Sequence, residues 1–271
     1  IQTGRDEHGN PCPVHFQSFN DYKPGLYFYL VLPFIKFFGL NEWTGRVPGA
    51  ALGVGTVFIV YLLVKELEKE GKVDGGKWMV KEFAALFLAI SPWHIHFSRG
   101  GWEVNVATFF IVAGLWLFLK GLNNIVFLFL SSLVFSLSLY TYHASRIVVP
   151  LLGLGLLVIY RKEIKDNLKN FLLAGLVALV AILPLIKDFT KPNVVSRAAG
   201  VGLFADPGPL SRINEQRGEH ENYTSIQSKL VHNKLVNYGL AFLENWSAHF
   251  HGEFLFLSGD AIERNKVPEM G

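Results

Sequence analysis

The residues best suited to chemistry in this 271-residue chain gather in one stretch, Ser91-Pro92-Trp93-His94-Ile95-His96-Phe97-Ser98-Arg99-Gly100-Gly101-Trp102-Glu103-Val104-Asn105. It separates two apolar runs, residues 83–90 and 104–119, where a joining turn would ordinarily be small and polar. Arginine offers paired donors that fit phosphate oxygens, and lysine a compact point charge. A carboxylate can orient an incoming hydroxyl or bind a metal. Glu103 opens an apolar run, where a helix dipole favours it, and also lies four residues from Arg99 as a candidate ion-pair partner. His94 and His96 alternate, so on a helix they point to different sides, and a metal pair would need extended backbone there. His249-Phe250-His251 poses the same question. Each residue also has a plainer role: Arg99 and Arg146 as span-end anchors reaching for headgroups, Trp93 and Trp102 as an aromatic belt.

The elements that must position these groups are membrane helices. Only 17% of the residues are charged and 51% are hydrophobic, against about 25% charged in an ordinary soluble domain. Six apolar stretches read as spans: 47–67, 80–97, 104–119, 124–140, 147–160 and 171–186. Residues 24–40 are apolar but short and interrupted by Pro33 and Lys36, which fits a juxtamembrane helix or helix pair better than a bent span. The expected fold is an all-α polytopic bundle of about six transmembrane helices, with outer juxtamembrane helices and a mixed extracytoplasmic segment. Its divisions are residues 1–46, an extracytoplasmic loop with the juxtamembrane helix; 47–186, the transmembrane domain; and 187–271, an extracytoplasmic segment. Within the last, Gly200–Pro209 reads as a turn-rich loop and Ser225–Trp246 as one amphipathic helix carrying Ile226, Leu230, Leu235, Leu240 and Leu243. The single cysteine, Cys12, excludes an internal disulfide framework, and a net charge of +3 is too small to suggest nucleic acid. The polar start and the character of the last residues lead us to expect a piece of a longer chain.

Orientation follows from lysine and arginine. The connections after the first, third and fifth stretches carry Lys65, Lys69, Lys72, Lys77, Lys81, Lys120, Arg161, Lys162, Lys165 and Lys169; the opposite turns carry Arg99 and Arg146. Ten cations against two place the lysine-rich side in the cytoplasm. No stretch holds Asp, Glu, Lys or Arg in its middle, unlike most ion-coupled transporters and channels. The ionisable and aromatic groups collect instead at the outer mouth: Lys23, His94, His96, Arg99, Glu103, Tyr140, Tyr142, His143 and Arg146. A site at headgroup level suits a substrate with its tail in the bilayer and a polar head outside.

Four segments occur in order: Asp21-Tyr22-Lys23-Pro24-Gly25-Leu26-Tyr27, Phe38-Gly39-Leu40-Asn41-Glu42-Trp43-Thr44-Gly45-Arg46-Val47-Pro48, Ser91 to Arg99, and Tyr140-Thr141-Tyr142-His143-Ala144-Ser145-Arg146. Together with Phe204-Ala205-Asp206-Pro207-Gly208 and Ser258-Gly259-Asp260, this set resembles the membrane glycosyltransferases of the glycosyltransferase-C superfamily, whose members include protein mannosyltransferases and lipid A aminoarabinose transferases. The resemblance implies a multi-pass cell-membrane enzyme with its active face outside the cytoplasm. It would move a sugar, hexose or pentose, from a polyprenyl-phosphate carrier to a protein, lipid or glycan acceptor, with inversion. Lys23 matches a Lys-Pro motif that contacts the carrier phosphate. Arg99 with Glu103 is similar to a Ser-Arg…acid motif at the same turn, with Glu103 in the catalytic role, while Tyr142, His143 and Arg146 would line the cavity as substrate ligands. The family's base, an Asp in the first outer loop, is expected to precede Ile1; Asp6 and Glu7 lie in the later part of that loop and are not assigned to it. No metal ligand is assigned and no cofactor is certain, a divalent metal staying open because relatives differ on it. The expected partners are the lipid-linked donor, the acceptor and membrane lipids. Two other classes remain: a flippase for lipid-linked sugars, which needs polar groups at mid-depth, and a non-catalytic membrane scaffold, favoured if Lys23, Arg99 and Arg146 do not converge.

Overall fold

The computed structural model describes residues 13–18, 21–74, 79–190, 206–219 and 225–254. Cys12, Asp6, Glu7, Lys77, residues 200–205 and Ser258-Gly259-Asp260 lie outside the described residues. The chain divides into two compact units, Ile1–Val194 and Val195–Gly271.

The first unit opens with a two-stranded antiparallel hairpin, β1 (His15–Ser18) and β2 (Asp21–Pro24), in which Phe16 stands opposite Lys23. Helices α1 (Leu26–Phe38), α2 (Glu42–Lys69), α3 (Val80–Ile90), α4 (Pro92–Arg99), α5 (Glu103–Gly121), α6 (Ile125–Leu139), α7 (Ser145–Ile159), α8 (Arg161–Asp166) and α9 (Leu168–Asp188) follow. At 1.5 Å per residue α2, α5 and α9 reach about 42, 29 and 32 Å, against a hydrocarbon core of about 30 Å. These three helices are long and apolar enough to cross a membrane, which makes this a membrane protein. Helices α1, α6 and α7 are apolar but shorter.

Helix α5 is the centre. It packs against α2 on one side and α6 on the other, and buries Val106, Phe110, Leu117, Phe118 and Leu119. Beneath α1, Tyr27, Val31 and Ile35, spaced by four, join Val106 and Phe110 in a cluster. Around the α7–α8 corner, Tyr160 and Ile164 pack with Phe118 and Leu128 in a second cluster. Helices α7 and α9 turn Ile147, Leu151, Leu154, Leu172, Leu176 and Leu183 outward. Those faces are too apolar for water and suit lipid.

Three expectations need correction. Residues 80–97 are not one helix. The ring of Pro92 drives Ser91 out of the helical region, and the Ser91 hydroxyl caps the next helix by accepting from the His94 N–H, so α3 stops and α4 begins anew. The part of residues 1–46 expected to be a loop before the juxtamembrane helix contains the β-hairpin, His15–Ser18 with Asp21–Pro24. In the second unit α10 (Gly208–Gly218) starts where a loop was expected to end. The single amphipathic helix divides into α11 (Ile226–Val231) and α12 (Lys234–Ala248), because Asn233 accepts from the Val236 N–H and caps a new start.

Candidate functional site

Contacts sort the connections of the first unit into two ends. Glu70, Lys72, Asn123, Tyr160, Glu163 and Asp166 border one cavity at the lysine-rich end. The other end holds the hairpin, the α4–α5 turn and the α6–α7 turn, and every assigned site residue lies there.

Its framework is built on glycine. Along α2, Gly49 and Gly53 let α4 and α5 approach so closely that a Cβ on Gly53 would sit 2.7 Å from Ser98 Cβ and nearer still to its hydroxyl. The contact is then locked by polar groups: Asn105 Nδ2 donates to Gly49 O at 2.8 Å, and His94 Nε2 donates to Gly53 O at 3.0 Å. The Ser98 hydroxyl donates to His94 O at 2.6 Å, with Asn105 Oδ1 3.3 Å away. Asn105 and Ser98 are not among the site residues that the sequence assigns; as polar residues within one turn of Arg99 and Glu103 they carry the available signal. Gly53→Ala is expected to push α4 off α2 and lower stability by about 1–3 kcal/mol. Thermal unfolding of the purified protein in detergent checks it, and an unshifted midpoint would contradict the close approach.

Arg99 ends α4. Gly101, at a φ of 71°, then reverses the chain before Glu103 starts α5. Arg99 and Glu103 therefore belong to different helices, and the spacing of four does not pair them. Glu103 faces Lys23 of β2 instead, Nζ to Oε1 at 4.0 Å, both partly exposed. Beside them Tyr27 donates its hydroxyl to Gly45 O at 2.7 Å. Burial first, then the Glu103 carboxylate, push the Tyr27 phenol up to about 12, so it stays a donor. Arg99 is exposed and, among the described residues, has no acidic partner within 4 Å. It borders the end of an open apolar groove of about 600 Å³ between α2, α3 and α4, walled by Val54, Phe58, Ala85, Ala89 and Ile95.

Arg146 and His143 are placed differently. Arg146 Nε donates to Leu139 O at 3.2 Å, Nη1 to His143 Nδ1 at 3.0 Å and Nη2 to His15 Nε2 at 2.6 Å. His143 Nε2 in turn donates to Tyr22 O at 2.9 Å, and His15 Nδ1 donates to Asp188 Oδ2. Both imidazoles are thereby assigned as neutral, each taking an arginine proton on one nitrogen and giving its own on the other. The guanidinium also lies over the Phe189 ring. Three sides of Arg146 are committed inside the protein. It clamps β1 and β2 to the ends of α6, α7 and α9, and does not stand open as a phosphate ligand. His15 and Asp188 were not read as site residues. Tyr140, named at the mouth, also ties helices: its hydroxyl donates to Ala181 O at 2.7 Å and accepts from the Leu185 N–H at 3.3 Å, beside Pro184 of α9. Tyr142 is half-buried at the same turn.

The two histidines of α4 part company. His94 is spent on Gly53 O, while His96 lies edge-on to Phe97. Trp93 stacks with Phe97, and Phe97 meets Trp102 edge-on, forming an aromatic cluster at this end. Among the described residues no three His, Cys, Asp or Glu side chains are placed to hold a metal ion.

No family model, no curated protein and no solved structure matches this chain.

Proposed function

We propose that the protein is a multi-pass membrane glycosyltransferase of the glycosyltransferase-C type, with six crossings made by α2, α3 with α4, α5, α6, α7 and α9, and its active face outside the cytoplasm. The observation that carries the reading is the apolar groove between α2, α3 and α4 with Arg99 at its end, at the same end of the bundle as the Lys23–Glu103 pair. An apolar channel with a cationic mouth suits a lipid whose head is a phosphate. The prenyl chain lies in the groove, and Arg99 and Lys23 hold the phosphate that links it to the sugar. The acceptor oxygen attacks the anomeric carbon from the opposite side. The carbon–oxygen bond to phosphate breaks, polyprenyl phosphate leaves, and the acceptor proton passes to a base, so configuration inverts. Glu103 orients Lys23 and the incoming group. Arg146 and His143 act at one remove, by fixing the hairpin that carries Lys23.

The test is release of polyprenyl phosphate from a labelled polyprenyl-phosphate hexose by the purified full-length protein, with candidate acceptors supplied, compared with its Lys23→Ala variant. Release that falls at least tenfold on losing Lys23 is expected, the order of one lost charge-assisted contact. Donor binding with no release in the presence of acceptor would replace the transferase reading with the flippase.

A further inference from the structure

The second unit wears its apolar side chains outside. Helix α12 turns Asn237 and Tyr238 inward, toward α10, where the Tyr238 hydroxyl donates to Asp206 O at 3.4 Å and Arg212 meets Glu244 at 3.5 Å. The opposite side carries Leu235, Phe242, Leu243 and Trp246, which at 100° per residue fall within roughly 100° of arc. All four are exposed, Leu235 by 85% and Trp246 by 55%. Trp246 packs on Phe250 with ring centroids 4.9 Å apart, which prolongs the stripe past the helix end. Ile226 and Leu230 of α11 are exposed as well.

A water-soluble helix turns its apolar stripe inward, and α12 leaves its stripe outside. The packed side is the one carrying Asn237 and Tyr238, so the side carrying Leu235, Phe242, Leu243 and Trp246 is left for a surface of its own. We infer that α12 lies flat on the bilayer that the first unit crosses, with Leu235, Phe242, Leu243 and Trp246 sunk into the boundary between headgroups and acyl chains. Two observations select lipid as the occupant. The chain between Asp188, the last residue of a helix long enough to cross, and Asp206 holds 17 residues, which extend to at most about 60 Å. The stripe is thus permanently tethered near a membrane. Its composition, leucine and phenylalanine with a tryptophan toward one end, is that of interfacial helices, where an indole keeps its N–H in the wet headgroup layer.

The experiment uses the full chain in nanodiscs, in a Cys12→Ser background, with a polarity-sensitive fluorophore placed in turn at Phe242→Cys, Leu235→Cys and, on the opposite side of the helix, Glu244→Cys. Labels at 242 and 235 should emit to the blue of the label at 244, be quenched several-fold more strongly by lipids spin-labelled high on the acyl chain, and resist iodide. Equal iodide quenching at all three sites, with no effect of the spin-labelled lipid, would overturn the inference. So would labels at 242 and 235 that are shielded from both quenchers, because protein would then cover the stripe. The two independent stripe positions guard against one variant that fails to fold.

Discussion

Replacing Asp188 by alanine is expected to lower the stability of the first unit by about 3–5 kcal/mol, the range for removing one partner of a buried charge pair. Asp188 is 8% exposed, and the neutral His15 through which it meets the charged Arg146 is 6% exposed. The carboxylate balances Arg146 through His15, and without it the guanidinium keeps its charge but retains only neutral imidazole and carbonyl contacts. Such a group is costly because its desolvation is no longer offset. The prediction separates two accounts of the cluster. If it is a structural clamp, Asp188→Ala should free the hairpin, seen as faster proteolysis within residues 15–24, and thermal unfolding in detergent should move down together with it. Adding Arg146→Met should recover part of the loss, since the orphaned charge is then gone. A double variant as unstable as the sum of the two single ones would show that the residues do not act as one network.

Much of this arrangement was legible in the sequence, and the parts that were not share a physical cause. Apolar runs long enough to cross a membrane, and the grouping of connections at two ends, follow from composition along the chain, which is local information. So does the special character of residues 91–105. The break at Pro92 was legible in principle, because a proline excludes the helical conformation from the residue before it, but the apolar pattern runs on to Phe97 and masks it. The hairpin was missed because its strands are four residues each and hold no regular alternation. The clamp was out of reach for another reason: His15 and Asp188 are 173 residues apart, and no periodicity links them. Asp188 offered one hint, a carboxylate closing an apolar helix. Arg146 and His143 stand out in the sequence as polar residues at a span end, yet a side chain's type does not say whether it faces a ligand or its own protein. Glu103 shows the same limit. Its spacing to Arg99 suits one helix, and the Gly100-Gly101 turn, which ends that helix, gives it Lys23 instead.

Arg99→Ala is expected to leave folding and membrane insertion intact while reducing sugar transfer by about 10²–10³-fold, the usual loss when one donor to a developing charge is removed. The first half follows from placement: Arg99 is exposed, sits at the last position of α4 and has no acidic partner among the described residues, so its loss orphans no carboxylate. The second half follows from the chemistry. A phosphodiester carries one negative charge, and as its bond to the anomeric carbon breaks the departing phosphate gains a second. A guanidinium at the end of the groove then binds the transition state more strongly than the ground state, and the loss should appear in kcat more than in KM. Arg99→Lys should recover only part of the rate, because an ammonium restores the charge without the paired donors. A rise in KM alone would reduce Arg99 to a docking group for the lipid head. Unchanged kcat and KM would remove it from the site and, with it, the argument that the groove between α2, α3 and α4 ends at a phosphate.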